Sequence, residues 1–217
     1  EHNIRKLKEI SSRDNPVAVV KSRSVSKIGL ASAVRSHFVQ NTSGKSSDSV
    51  PLSSMLCIGA IVAIVGRNFE PNWGLYNGSI GFVREIVFKP NENPNDGDMP
   101  LYVVVEFPLF SAKNGSPTWD KNNPRCVPIP CIKSSCKKMC CERTFLPLQP
   151  AFGKTIHTFQ GQSVGPVDAD TFRNAIECII CDIGTKSFEA RCPGLFYTAI
   201  SRATTIGGIK DNTKSAI

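Results

Sequence analysis

The first apolar stripe of the chain is narrow and has helical spacing. Leu7 and Ile10 lie three residues apart among charged side chains, which predicts an amphipathic helix over residues 1–14. Asn15 should end this helix, because the residue before a proline is driven out of the helical region. We therefore expect a short surface helix followed by a turn.

Two continuous apolar runs follow, and both predict strands. Residues 17–20 predict a short buried strand, and residues 58–65 predict a strand buried on both faces of a sheet. Residues 22–50 are rich in serine, lysine, arginine and glycine, which predicts a mobile surface loop between the two strands.

The pattern of residue types changes at about residue 72, where short apolar runs alternate with glycine, proline and asparagine. Asn77 and Gly78 predict a hairpin-type turn, and residues 90–100 predict a polar loop. Several short strands at close spacing predict a small β-barrel, which we place at 72–145 as an insertion in a larger α/β domain. The strands predicted within it cover residues 79–88, 101–107 and 125–129.

Beyond residue 145, helices and strands alternate as they do in α/β domains. The predicted elements are a helix over 151–159, a buried strand over 177–182, a helix over 194–203 and a last strand near Ile209. The chain therefore divides into an amino-terminal part (1–71), the inserted barrel (72–145) and a carboxy-terminal part (146–217).

The charge of the chain favours an anionic partner. The net charge is +8, and nucleic acid is the commonest anionic partner of a basic protein; a merely solvated basic surface is the alternative. With 41% hydrophobic residues the chain can bury a core, which excludes a disordered protein. Its longest apolar run, 55–66, is shorter than the roughly 20 residues that span a bilayer, so we expect no membrane partner. Because the first residue is Glu1, we expect a fragment or a processed piece.

The nine cysteines lack the density of a secreted disulfide scaffold, so we expect reduced thiols in an intracellular protein. Five of the cysteines lie in a cluster near residue 130, and two interpretations of this cluster are possible: a zinc-stabilised loop and a loop of reduced cysteines. Its gaps of four, four, three and no residues argue against zinc, which needs two closely spaced pairs. Cys178 and Cys181 should point to opposite faces of a strand and pack in the core. The cluster consists of Cys126, Cys131, Cys136, Cys140 and Cys141.

Three blocks of sequence, taken in order, resemble the motifs of one known family. Residues 58–81, ending in Gly-Leu-Tyr-Asn-Gly-Ser-Ile-Gly, resemble that family's strand and its GLVNGSxG turn. Residues 146–161, with Leu-Pro-Leu, Thr-Ile-His and a final Gln-Gly, resemble its motif V, LPL…TIHKSQG. Residues 197–203, Tyr-Thr-Ala-Ile-Ser-Arg-Ala, resemble its motif VI, YVALSRA. By these three blocks the chain resembles the C-terminal portion of the PIF-type DNA helicases, of the RecD-like branch of superfamily one.

This resemblance implies a fold and a mechanism. Most of the chain would be the second RecA-like, P-loop NTPase-type helicase domain, interrupted by the barrel as an SH3-like insertion. ATP and Mg²⁺ would bind between it and the first RecA-like domain of the same parent chain. Arg202 would be the arginine finger, because a guanidinium stabilises the charge that builds on the transferred phosphoryl group; a surface arginine on a helix is the alternative. Gln160 and Gly161 would lie near the nucleotide cleft.

The resemblance also implies DNA partners, both single strands and junctions, with no obligate oligomer. Thr155, His157 and Asn77 would contact the DNA, and the hydroxyl of Thr155 and the imidazole of His157 suit phosphate contacts. Helix capping or packing is the alternative role for Thr155 and His157. Thr158 and Phe159 replace the lysine and serine of motif V, which removes one cation. A DNA protein with reduced cysteines suits the nucleus or the mitochondrion, in repair, recombination or telomere maintenance.

The chain departs from a complete motor because it contains no GxxxxGK[ST] sequence. Gly44-Lys45-Ser46 resembles the end of that loop, but the position of its first glycine is Val39. We therefore expect the phosphate loop and the magnesium ligands on the absent first domain, and no ATP hydrolysis by these 217 residues alone. A non-catalytic nucleic-acid binding module and an inactive helicase relic from a mobile element are the alternatives.

Overall fold

The computed structural model describes residues 2–26, 50–92, 98–108, 110, 119–120, 122–135, 141–154, 179–181, 193–203 and 209–211. The chain forms two compact units, which we name unit 1 (Glu1–Gly153) and unit 2 (Lys154–Ile217). Within the described ranges, no helix has the length and apolar character needed to cross a bilayer.

Unit 1 begins with the predicted helix, which is shorter than expected. Helix α1 covers His2–Ile10, and Leu7 is its buried residue. The prediction to residue 14 was wrong because the Asn15 N–H donates to Ser12 Oγ at 3.1 Å, which forms a local turn instead. The Asn15 amide then exchanges two hydrogen bonds of 2.9 Å with the backbone of Ile58, which joins this turn to the rest of the unit.

The described part of unit 1 contains three antiparallel sheets, with strand orders β1-β3, β10-β4-β5-β6-β7 and β2-β9-β8. The five-stranded sheet supplies much of the core. Val83, Val105 and Val127 lie side by side on β5, β6 and β7 and are all buried. The strands are β1 (Ala18–Lys21), β2 (Arg23–Ser26), β3 (Ser53–Leu56), β4 (Ile61–Ile64), β5 (Ile80–Val87), β6 (Tyr102–Glu106), β7 (Cys126–Pro130), β8 (Ile132–Ser135), β9 (Cys141–Phe145) and β10 (Leu148–Pro150).

The strand predicted at 58–65 is confirmed in its buried half. Val62, Ala63 and Ile64 are consecutive and all buried, so both faces of β4 are covered as expected. The strand begins only at Ile61, because Gly59 has a φ of 82° and the chain turns there. That left-handed conformation suits glycine, which has no Cβ.

Two predictions for the first fifty residues need correction. The strand at 17–20 exists as β1, but of its apolar residues only Val20 is buried, while Val19 is 41% exposed. The surface loop predicted from residue 22 starts instead with strand β2, which pairs with β9. Residues 27–49, including Gly44-Lys45-Ser46, lie outside the described residues.

The strands predicted for the inserted barrel belong to a larger sheet. β5, β6 and β7 match the predicted ranges within about two residues, but they continue into β4 and β10, which lie outside 72–145. Backbone pairing therefore crosses both predicted borders, while the contacts divide the chain at Gly153. The SH3-like insertion and the three-part division stay predictions.

The helix predicted over 151–159 does not form in its described part. The Ala151 N–H donates to the Ile61 carbonyl at 2.9 Å, which continues the pairing of β10 with β4. The Gly153 N–H donates to Asn3 Oδ1 at 2.7 Å. These backbone donors are used by unit 1, so residues 151–154 do not start a helix; residues 155–159 lie outside the described range.

Unit 2 shows the α/β pattern that the sequence predicts. Strand β11 (Ile179–Cys181) pairs in parallel with β12 (Ile209–Asp211), and helix α2 (Leu195–Ile200) lies between them in sequence. Parallel neighbours need a crossover connection, usually a helix, so this arrangement is an α/β unit. The predicted strands near 177–182 and Ile209 are confirmed at these positions.

Candidate nucleotide and nucleic-acid site

Arg202 lies just beyond helix α2 rather than inside it. The helix ends at Ile200, so the prediction of a helix to residue 203 was too long. The Arg202 N–H donates to the carbonyl of Ala199 at 3.2 Å, in the tight turn that closes the helix. Ala199 is buried at 3% exposure, and this turn holds the Arg202 backbone next to that buried residue.

Ser201 fixes the direction of the Arg202 guanidinium. The Ser201 hydroxyl donates to the Thr198 carbonyl at 3.0 Å and accepts from Arg202 Nη2 at 3.2 Å and Nε at 3.4 Å. Among the described residues, the other N–H donors of this guanidinium make no hydrogen bond. They can therefore receive an anionic group, and a guanidinium offers paired donors that match phosphate oxygens.

Asn77 lies in unit 1, in a tight turn from Tyr76 to Ser79. The Ser79 N–H donates to the Tyr76 carbonyl at 3.0 Å, and Gly78 has a φ of 94°, the left-handed conformation that the third position of a type II turn requires. The turn does not join adjacent strand ends, because fifteen residues, Val65–Ser79, connect β4 to β5. The hairpin prediction was therefore wrong, although the turn itself is present.

Asn68 is a residue that the sequence analysis missed. Its Oδ1 accepts a 2.9 Å hydrogen bond from the Asn77 N–H and so ties the beginning of the connection to the turn. The signal available was an asparagine three residues after the strand predicted at 58–65, since asparagine side chains in turns and loops often bond to the backbone.

The motif V residues Thr155, His157, Gln160 and Gly161 lie outside the described residues, and their roles stay predictions. Lys154, which directly precedes them, is described. Burial lowers the pKa of its ammonium group to about 8. Lys154 is the second residue that the sequence analysis missed. Its position next to Thr155 could have indicated it, and perturbed pKa values are common at functional sites.

Several described cations of unit 1 are paired with carboxylates. Lys6, Arg23, Arg84, Lys89 and Lys133 form ion pairs with Glu9, Asp98, Glu106, Glu92 and Glu142. Arg67 belongs to a second group, with Lys8, Arg13 and Lys21, whose members are exposed and form no ion pair with a described carboxylate. Arg67 directly precedes Asn68, and the hydrogen bond from the Asn77 N–H to Asn68 Oδ1 joins this part of the chain to the turn.

Cys57 and Cys126 are buried free thiols, and Cys131 is a partly buried free thiol. Burial raises the pKa of Cys57 and of Cys126, and it raises the pKa of Cys131 to about 11. Within the ranges that the structure covers, no three His, Cys, Asp or Glu side chains come together in a group that could hold a metal. Cys136, Cys140 and Cys178 lie outside those ranges.

No protein-family model matches the sequence, and no curated protein matches it. A solved structure of Pif1 helicase from Candida albicans, however, is similar over 96% of this chain with a TM-score of 0.61 and 23% identity. The chain has the fold of part of a Pif1 helicase. The resemblance predicted from the three motif blocks is thus confirmed at the level of the fold.

Two Bacteroides Pif1 structures extend the comparison. One holds ADP-AlF3 and single-stranded DNA and is similar over 97% of this chain, with a TM-score of 0.53 and 20% identity. The other is bound to single-stranded DNA, with a TM-score of 0.53 and 19% identity over 97% of this chain. This chain spans 41% of the Candida protein and 37% of each Bacteroides protein, so it matches about two fifths of a Pif1 helicase.

Proposed function

We propose that this chain forms the C-terminal motor half of an ATP-dependent DNA helicase, which couples ATP hydrolysis to translocation on single-stranded DNA and to duplex unwinding. The observation that carries the proposal is the fold shared with a Pif1 helicase over 96% of the chain. The parallel β11–β12 pair with α2 between them and the ordered motif blocks support it.

Arg202 would act as the arginine finger of this motor. Its guanidinium follows a helix end, is oriented by Ser201, and keeps donors available to an anion. During phosphoryl transfer, negative charge spreads over the γ-phosphoryl oxygens, and a fixed cation stabilises that charge more than the ground state. Gln160 and Gly161 would lie beside the same nucleotide.

ATP and Mg²⁺ would bind together with the first RecA-like domain of a longer parent chain. Such a domain would supply the phosphate loop and the magnesium ligands, because the sequence has no GxxxxGK[ST]. The chain alone would then have no ATPase activity. We propose no zinc role, and we propose a nuclear or mitochondrial location.

Single-stranded DNA and DNA junctions would be the nucleic-acid partners. The net charge of +8 suits them, and Thr155, His157 and Asn77 would contact the strand. Two Pif1 neighbours were solved with single-stranded DNA, which gives the proposed ligand a precedent in the same fold.

The test begins with the coding sequence upstream of Glu1. If it encodes GxxxxGK[ST] in frame, the longer chain is purified and its DNA-stimulated ATP hydrolysis is measured. Arg202→Ala should lower kcat roughly 10³- to 10⁵-fold, as loss of an arginine finger does, with little change in DNA affinity. Arg13→Ala, at an exposed arginine of unit 1, is the matched control and should keep full turnover.

Two results would contradict the helicase proposal. One is equal turnover for Arg202→Ala and the wild type in the longer chain. The other is a stop codon or an unrelated domain upstream, which would favour a non-catalytic binding module or a helicase relic. The absence of GxxxxGK[ST] from the sequence is the observation that favours this second candidate, a binding module or a relic. A binding module should still bind DNA, with an affinity that falls steeply as salt rises.

A further inference from the structure

The connection Val65–Ser79 between β4 and β5 is much longer than its geometry requires. The two strands are direct neighbours, with Ala63 opposite Ile80, and a two-residue turn can join such a pair. Fifteen residues are used instead, with one short 3₁₀ turn at Pro71–Trp73. Compact surface loops of this length whose ends lie close together are frequently functional.

This loop is held by hydrogen bonds at each residue of its final turn. The Tyr76 N–H donates to Ser79 Oγ at 3.0 Å, the Asn77 N–H to Asn68 Oδ1 at 2.9 Å, and the Gly78 N–H to the Ile64 carbonyl at 2.8 Å. Satisfied backbone donors keep the turn in one conformation. A ligand that binds there would therefore meet a surface that is already ordered.

The turn presents an aromatic ring to solvent above a buried anchor. Leu75 is 1% exposed, whereas Tyr76, the next residue, is 50% exposed. Neighbouring side chains of extended backbone point to opposite sides, so the burial of Leu75 directs Tyr76 outward. Tyrosine has two side-chain torsions, and fixing its ring against a ligand therefore costs little entropy.

The charges around the loop suit an anionic ligand. Arg67 is exposed and has no carboxylate partner among the described residues, as noted above. Glu70, the acidic residue of the loop, pairs through its backbone with Leu75. Directly opposite residues in an antiparallel pair place their side chains on the same side, so Glu70 lies on the side of Leu75 and not of Tyr76.

We propose that Tyr76 stacks against a base of single-stranded DNA while Arg67 contacts a neighbouring phosphate. Every base offers a flat face to an aromatic ring, and such platforms beside cations bind single strands without sequence preference. The helicase pattern GLVNGSxG has valine at this position, so the ring is a feature of this chain and not of the motif. This inference rests on the proposed DNA function and adds a specific contact to it.

The experiment measures binding of a labelled oligothymidine by fluorescence anisotropy over a range of salt concentrations. Tyr76→Ala should weaken binding roughly 5- to 150-fold, the range found for losing one base–aromatic stack. Tyr76→Phe keeps the ring and should bind as the wild type does. Trp119→Ala is the matched control, because Trp119 is also a half-exposed aromatic of unit 1 (48%) and should have no effect.

Salt dependence separates stacking from charge. Tyr76→Ala should leave the slope of log K against log salt unchanged, whereas Arg67→Ala should reduce its size by about 0.7, the value for one phosphate of a single strand. If Tyr76→Ala binds like the wild type, or if Trp119→Ala is equally harmful, the stacking contact is wrong while the DNA function stands. If the folded wild type binds no DNA even at low salt, the DNA contacts proposed for this chain fail together with the stacking contact.

Discussion

Asn68 and Asn77 lie nine positions apart in the sequence, and one hydrogen bond of 2.9 Å joins the Asn77 N–H to Asn68 Oδ1. This bond crosses the loop from its first residues to its last turn. The side chain of one asparagine therefore sets the backbone position of the other, which is the predicted DNA contact. The same bond supports Tyr76, the residue before Asn77.

Asn68→Ala should loosen this loop. Removing one exposed hydrogen bond should cost about 0.5–1.5 kcal/mol in the free energy of unfolding, and the Asn77 amide should exchange with solvent faster. Urea unfolding and amide hydrogen exchange measure the two effects. Asn68→Asp retains the acceptor oxygen and should behave like the wild type; equal losses for both variants would show that the bond does not hold the loop.

Gly81→Ala should destabilise unit 1 through a clash. A Cβ at residue 81 would lie 2.5 Å from Val105 Cγ1 and 2.7 Å from the Glu106 carbonyl oxygen, and the sheet pairing of β6 keeps that backbone in place. Overpacking of this kind costs about 1–3 kcal/mol. Gly153→Ala is the control in urea unfolding: its Cβ would lie 3.2 Å from the flexible His2 side chain and 3.7 Å from Asn3 Oδ1, an ordinary contact, so the change should stay within about 0.5 kcal/mol.

Ser201→Ala should impair the proposed arginine finger by misplacing it. The variant loses the oxygen that accepts from Arg202 Nη2 and Nε. In the longer helicase chain, ATP turnover should fall roughly 2- to 10-fold, much less than for Arg202→Ala, because the cation remains. Ser201→Thr keeps the hydroxyl and should restore turnover. A loss for Ser201→Thr as large as for Arg202→Ala would assign Ser201 a different role.

Cys131 should react slowly with alkylating reagents in the folded protein. Burial raises its pKa to about 11, so very little thiolate forms at pH 8, and the thiolate is the reactive species. Mass spectrometry after iodoacetamide treatment should show Cys131 modified only after unfolding. The raised pKa also implies a stability contribution that is complete below pH 9 and is lost as the pH rises towards 11. Rapid labelling of the native thiol would contradict its burial.

Lys154 should produce the opposite pH dependence. Its folded pKa of about 8 lies below the ordinary lysine value of 10.5, so the unfolded chain binds more protons between these pH values. Stability should therefore rise with pH across this window. Lys154→Met removes the titrating group and should flatten the rise relative to the wild type in thermal unfolding, whereas an unchanged pH profile would show that burial does not perturb Lys154.

The apolar runs predicted the interior strands well because burial on both faces needs consecutive apolar residues. The runs at 58–65 and 101–107 became β4 and β6, whose residues Val62, Ile64, Val103 and Val105 are buried. Strand β3, Ser-Ser-Met-Leu, was missed because one of its two buried positions is occupied by the polar Ser54, which hides the alternation in so short a segment. Strand β2 was missed for a different reason: its side chains at Arg23, Ser24 and Val25 are all exposed, so only the pairing with β9 makes it a strand.

The sequence by itself determined the strands of its apolar runs, the basic charge, the resemblance to a helicase and the candidate residues Arg202 and Asn77. Those properties depend on residue type and local spacing. Only the tertiary structure decided that β5–β7 continue into β4 and β10, that Ala151 extends a sheet instead of starting a helix, and that Asn68 holds Asn77. These outcomes depend on which distant backbone groups satisfy each other's hydrogen bonds, and no local pattern of residues encodes that choice.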